Sequence, residues 1–221
     1  MLIKERYKRF INFFKKKQPK ATTELNYSNG FELLIAVVLS AQCTDKRVNI
    51  VTKNLFKYLK NPEDFSKVSY DKLYSYIKSI SYPNNKTKYL IELSKIIINK
   101  FNGKVPNTIE NLLKLPGIGR KSANVIGSTI YNIPVMAVDR HVMRVSIRLG
   151  LVSKKYDKNV LMIEQKLSQY IPKKYLSLFH NWLVLHGRYI CLARNPKCSS
   201  CYINDICKFY NKKIKFLKKK Y

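Results

Sequence analysis

Lys121 closes the run Leu115-Pro116-Gly117-Ile118-Gly119-Arg120 and begins an apolar period at Ala123, Val125, Ile126 and Ile130. Pro116 to Gly119 stops any helix before it. The stretch from Leu112 to Tyr131 therefore reads as helix, tight hairpin, helix. Gly117 and Gly119 let the hairpin backbone approach a partner and turn amides outward at the N-terminus of the second helix, an arrangement suited to phosphate. Lys121 falls in the first turn of that helix. The positive helix end there lowers an amine's pKa, and such a lysine can act as a nucleophile. The plain alternative is a surface lysine beside an ordinary αα-hairpin.

Two further sets of residues have chemical potential. Asp139 precedes the helical period Val142, Val145, Ile147, Leu149, so it is an N-cap at least. Cys191, Cys198, Cys201 and Cys207 follow the spacing C-x6-C-x2-C-x5-C and fall within 17 residues. Four thiolates so placed can hold zinc or an iron–sulfur cluster, and the compact spacing suits a cluster loop. Cys43 stands apart on an apolar helix and reads as a small core residue. His180 and His186 are six apart, which is not a helical metal pair, and read as structural.

The chain of 221 residues allows one or two domains, and 46% apolar residues suffice for a sizeable core. Lys and Arg total 43 against 13 acidic residues, giving a net charge of +30. Such a field favours nucleic acid over an anionic membrane surface. Abundant Lys, Asn, Ile and Tyr also mark an AT-rich genome, so part of the charge is compositional. The longest apolar run, Leu33 to Leu39, is far short of a membrane span. No apolar segment of signal-peptide type follows the N-terminus, so the chain is expected in the cytoplasm with its cysteines reduced.

These residues need a helical framework. Ile3, Tyr7, Phe10, Ile11 and Phe14 share one face of a helix over 3–17, ended by Pro19. Asn29 to Glu32 resembles a capping box before Phe31–Gln42, apolar nearly all round and expected in the core. Gln42, at its polar end, is either a buried amide or faces a ligand. Further helices are predicted over 45–59, ended by Asn61-Pro62, over 71–80, and over 86–101 after a loop at 81–85. Asn107 to Glu110 starts the helix into the hairpin. Helices near 159–170 and 173–190, Trp182 in the core, and a frayed basic tail from Lys212 complete the chain. The fold class is all-α, with no strand or repeat.

The hairpin lysine, Val138-Asp139 and the cysteine spacing together resemble the endonuclease III family of helix-hairpin-helix DNA glycosylases and abasic-site lyases. The likeness covers nearly the whole chain, including Thr-Thr-Glu-Leu-Asn (22–26), Phe-Glu-Leu-Leu-Ile-Ala-Val (31–37), Leu-Pro-Gly-Ile-Gly-Arg-Lys (115–121) and Trp-Leu-Val-Leu-His-Gly-Arg-Tyr (182–189). The resemblance implies a helical barrel domain over 23–133 carrying the hairpin. It implies a second domain, 1–22 with 134–211, holding a [4Fe–4S] cluster on the four cysteines, a basic tail over 212–221, and a DNA-binding cleft between the domains. The chain would be a monomer, associated with the nucleoid, acting on double-stranded DNA with a damaged pyrimidine or an abasic site.

The implied chemistry is base-excision repair of oxidised pyrimidines. The base is flipped from the stack. Lys121 attacks C1′ and expels it, Asp139 handles the proton and steadies positive charge on the sugar, and the Schiff base undergoes β-elimination. Gln42 and Tyr82 would fill the hole in the stack, while Gly117, Gly119, Arg120, Arg194 and Lys197 would contact DNA. The chain departs from the family's usual pattern at Arg140, at Ser81-Tyr82-Pro83 in place of Gly-Leu-Tyr, and at Cys43. Two rival readings are a monofunctional adenine glycosylase, which would lack the hairpin lysine, and a DNA-binding protein without catalysis.

Overall fold

The computed structural model describes residues 1–218. Its regular structure is helical, with twelve α-helices, two short 3-10 turns and no strand among the described residues. The chain divides into two compact units: Thr23–Ile133, and Met1–Thr22 together with the chain from Pro134. The first helix, α1 (Ile3–Lys17), buries Tyr7, Phe10, Ile11 and Phe14 of the face its periodicity predicts, while Ile3, at its first position, is exposed.

In the Thr23–Ile133 unit, α2 (Gly30–Ser40) is the core helix. Leu33, Leu34, Ile35, Ala36 and Leu39 are wholly buried, and each large apolar side chain so placed contributes about 1.5–3 kcal/mol. Asn29 accepts the Glu32 N–H at 2.9 Å, and Glu32 Oε2 accepts the Ser28 N–H at 2.6 Å, a capping box whose return bond lands one residue early. α3 (Asp45–Tyr58) follows. Asn61 and Pro62, expected only to end α3, also begin α4 (Pro62–Lys67), with Asn61 as N-cap and Pro62 in the first turn. α5 is Tyr70–Ile77. α6 (Pro83–Phe101) starts at Pro83 rather than Lys86, because proline's fixed φ suits a first helical position. α7 (Ile109–Leu113) is capped by Thr108, and α8 (Arg120–Ile130) follows the hairpin. The core helix α2 packs against α3, α6 and α8.

In the other unit, α9 (Arg140–Leu149) packs against α11 (Leu176–Tyr189) and α12 (Lys208–Lys218), with α10 (Val160–Tyr170) between them in sequence. Helix α11 starts at Leu176 because Lys173–Tyr175 turns as a 3-10 helix after Pro172. Phe10, Phe14, Phe179 and Trp182 form an aromatic cluster, and the buried Trp182 Nε1 donates to Gln18 O at 2.8 Å. The tail is helical through Lys218 rather than frayed from Lys212, since α12 packs on α9. The last three residues of the expected tail, 219–221, lie outside the described residues.

Candidate functional site

The hairpin runs from Lys114 to Gly119 between α7 and α8 and is anchored by two buried side chains, Leu115 and Ile118. The Ile118 N–H donates to Leu115 O at 3.1 Å and closes the turn. Gly117 has φ +77°, and an added Cβ would lie 2.9 Å from the Tyr89 ring, so both conformation and space demand glycine there. Gly119 is different. Its φ is −93°, and an added Cβ would meet nothing within 4 Å. Neither strain nor internal packing calls for glycine at that position. Gly119 is the N-cap of α8 and provides no side-chain cap. Arg120 and Lys121 follow in the first turn, both exposed. Lys121 lies outside the buried stripe of α8, which begins two residues later at Ala123.

Gln42 and Tyr82 lie in the same unit and are alike in backbone. Both have φ of 56° and both side chains are exposed. Gln42 is therefore not a buried amide, because α2 ends at Ser40, before reaching it. Cys43 is also out of the helix and half-buried, not a core residue, with its N–H bonded to Ser40 O at 3.0 Å. Ser81 Oγ donates to Gln42 O at 2.8 Å, tying the two loops together. Beneath them Lys86, 5% exposed, donates from Nζ to Leu39 O at 2.8 Å and to Ala41 O at 2.7 Å. Burial pulls the Lys86 amine below its ordinary pKa, and the nearby Cys43 thiol opposes that pull.

In the other unit Asp139 caps α9, with Oδ1 accepting the Val142 N–H at 2.8 Å. Burial holds His141 below its ordinary range, with Asp139 opposing and Arg144 and Arg188 adding to the depression. Arg144 Nε donates to Cys191 O at 3.1 Å and its Nη2 to Gly187 O at 2.8 Å. Arg148, one turn on, donates from Nη1 to Leu192 O at 2.6 Å and from Nη2 to Ala193 O at 2.9 Å, with Nη1 also 3.5 Å from Cys191 Sγ. Helix α9 thus bears Asp139 at one end and holds the start of the cysteine loop at the other.

Cys191, Cys198, Cys201 and Cys207 line one recess together with His186 and Lys197. Among the described residues no three His, Cys, Asp or Glu groups are close enough to grip a single metal ion. A cluster of several irons spreads its thiolates further apart. Burial pushes the Cys201 thiol up to about 11, partly offset by the Ile203 N–H at its sulfur. The Cys207 thiol is also raised by burial, with the Tyr210 and Phe209 N–H groups opposing. Backbone donors aimed at buried sulfurs, with Arg148 beside a third, suit thiolates that share negative charge with an iron–sulfur core. His180 Nδ1 lies 2.9 Å from Ala137 O, a structural bond. His186 Nε2 lies 3.8 Å from Cys201 Sγ, and burial lowers that ring to about 4, so it is neutral. Arg194 and Lys197 project from the loop and are exposed, Lys197 being held through its N–H to Ile190 O at 3.0 Å.

Residues 35–173 match the HhH-GPD superfamily base excision DNA repair protein family. Residues 191–207 match the iron–sulfur binding domain of endonuclease III. Endonuclease III of Rickettsia prowazekii (strain Madrid E) is 45% identical over 202 residues, 91% of this chain and 94% of that protein. The chain belongs to the endonuclease III family. A solved non-covalent endonuclease III–DNA complex superposes with a TM-score of 0.90 at 43% identity, covering 97% of this chain and all of that one. A trapped endonuclease III–DNA covalent intermediate superposes at 0.89 with the same identity, covering 97% of this chain and 100% of that one. Endonuclease III family membership makes this a base-excision repair enzyme, a DNA glycosylase and abasic-site lyase with an iron–sulfur loop for a [4Fe–4S] cluster. The adenine-glycosylase and non-catalytic readings are not favoured by these matches. No helix among the described residues is long and apolar enough to cross a membrane.

Sequence reasoning passed over Lys86, Arg144, Arg148 and the cluster-side place of His186, and it named Ser81 only as part of the unusual loop, without its bond to Gln42. One of them had a signal. Lys86 stands at helical spacing from Leu90, Leu93 and Ile97, so a lysine occupies the buried stripe of α6.

Proposed function

We propose that this enzyme removes oxidised pyrimidines from double-stranded DNA and cuts the strand at the resulting abasic site, working as a monomer associated with the cytoplasmic nucleoid. Lys121 is the nucleophile. Its amine attacks C1′ of the flipped nucleotide, the bond from C1′ to the base breaks, and the base leaves with the bonding pair. Asp139 takes the proton that the amine sheds and steadies positive charge on the sugar. Opening of the sugar ring leaves a Schiff base on Lys121, which acidifies the C2′ proton. Loss of that proton expels the 3′ phosphate by β-elimination, and water then releases the lysine.

A free lysine has a pKa of about 10.4, so roughly one in 2,500 is neutral at pH 7. The position of Lys121 in the first turn after a Gly119 cap is the observation that carries this reading. The likeness to a trapped covalent endonuclease III–DNA intermediate supports it. The open space at Gly119 supports phosphate contact by the hairpin, with Gly117, Gly119 and Arg120 as the contacts. Gln42 and Tyr82 fill the hole left by the flipped base, and Arg194 and Lys197 reach phosphates. Cys191, Cys198, Cys201 and Cys207 hold the cluster, which when bound ties the loop through four iron–thiolate bonds.

The test is product analysis on a duplex carrying one oxidised pyrimidine. The expected result is free base plus a strand cut on the 3′ side of the lesion, with Lys121→Gln retaining DNA binding and losing the cut. Free base without any cut would overturn the lyase assignment.

A further inference from the structure

Among the described residues six non-glycine residues have positive φ, and two of them, Gln42 and Tyr82, stand exposed on loops that are hydrogen-bonded to each other. Gln42 and Tyr82 each have φ of 56°, a conformation that persists only where its surroundings enforce it. The Tyr82 ring is 60% exposed, so its own packing does not enforce it. Tyr82 also precedes Pro83, which favours an extended backbone at that position. The enforcing contacts come from neighbours. Ser81 Oγ donates to Gln42 O at 2.8 Å. Lys86 Nζ draws Leu39 O and Ala41 O inward, fixing the end of α2 immediately before Gln42. The Lys86 N–H donates to Tyr82 O at 3.2 Å, and Ile80, 2% exposed, anchors the loop on its other side.

We infer that Ser81 is a positioning residue that joins the Gln42 turn to the Tyr82 loop, with Lys86 bracing the turn from within, so that both side chains meet DNA as one preorganised wedge. The inference rests on the reading that Gln42 and Tyr82 fill the hole left by a flipped base. A wedge on two independent loops must be ordered at the moment the stack opens, whereas a pre-joined wedge carries little of that cost. Excision of a stacked, damaged base depends on the wedge more than cleavage at a pre-formed abasic site, where less must be unstacked.

The test is the ratio of single-turnover base excision to abasic-site cleavage in wild type, Ser81→Ala, Ser81→Thr, Tyr82→Ala and the Ser81→Ala/Tyr82→Ala pair. Ser81 is half-buried and lies outside the apolar core, so its variants should fold. Losing one hydrogen bond of ordinary strength should lower the ratio about fivefold in Ser81→Ala. Ser81→Thr keeps the hydroxyl and should restore it. In the Tyr82→Ala background the same change should cost less than about twofold, because the joint then has no ring to position. An unchanged ratio in Ser81→Ala, or losses that simply multiply in the pair, would overturn the inference. An effect of Ser81→Ala with none from Tyr82→Ala would overturn it along with the wedge role of Tyr82. Fluorescence of 2-aminopurine beside an abasic site in duplex reports unstacking without chemistry. Brightening that weakens in Ser81→Ala, in a protein that excises nothing, would sustain the inference while removing the proposed activity. No brightening and no excision by wild type would remove both.

Discussion

Asp139 Oδ1 accepts the Val142 N–H at 2.8 Å, so one carboxylate oxygen is committed to capping α9. The cap and the proposed catalytic role make separable demands. Asp139→Asn keeps an oxygen acceptor, and asparagine caps about as well as aspartate, so unfolding free energy should change by less than about 0.5 kcal/mol. Excision should fall by about two to three orders of magnitude, the usual scale for removing one group that stabilises developing charge. Denaturant unfolding and single-turnover kinetics on the same preparation separate the two. Near-wild-type turnover in Asp139→Asn would leave only the cap.

The caps were legible in the sequence because they are local. Asn29 and Asp139 each accept an N–H three residues on, and such spacing can be read directly; Thr44 and Ser69 cap α3 and α5 in the same way and were not read. The hairpin was legible for the same reason, as was the cysteine loop. Helix α4 was not, since Asn61-Pro62 serves one helix as its end and the next as its start. The bonds that set up the candidate site span long stretches of chain: Ser81 to Gln42 across 39 residues, Lys86 to Leu39 across 47 and Arg148 to Cys191 across 43. No local pattern encodes such pairings. Only the misplaced polarity of Lys86 on an apolar stripe hinted at one of them.

The cysteine loop predicts a visible cofactor. Purified protein should be yellow-brown and carry about four irons per chain by metal analysis, as a four-thiolate [4Fe–4S] site requires. One zinc and no iron would contradict the cluster. Cys198→Ser should loosen residues 191–207, with faster amide exchange there and in the contacting ends of α9 and α11, while α2 in the other unit keeps its protection.

The Tyr7 hydroxyl is buried and donates to Leu151 O at 3.0 Å. Burial, with a smaller contribution from Tyr170, raises its pKa above the ordinary 10. Below pH 10 both folded and unfolded chains keep this proton, and its contribution to stability is constant. Above pH 10 the unfolded chain releases it and the folded chain does not, so stability falls as pH rises. Tyr7→Phe should cost about 1–3 kcal/mol at pH 7, from the lost bond and the Leu151 carbonyl left unpaired. Its stability should then decline less steeply than wild type above pH 10. Parallel declines in denaturant melts would show that Tyr7 does not titrate differently in the two states.

The central claim is that Lys121 becomes covalently attached to DNA. Borohydride added to the enzyme and a duplex bearing an abasic site reduces a Schiff base to a stable amine. The account predicts a protein–DNA adduct in high yield, with the cross-linked peptide containing Lys121, and no adduct from Lys121→Gln, which still binds that duplex. Wild-type protein that binds the abasic duplex and gives no adduct, or an adduct that persists in Lys121→Gln, would contradict it.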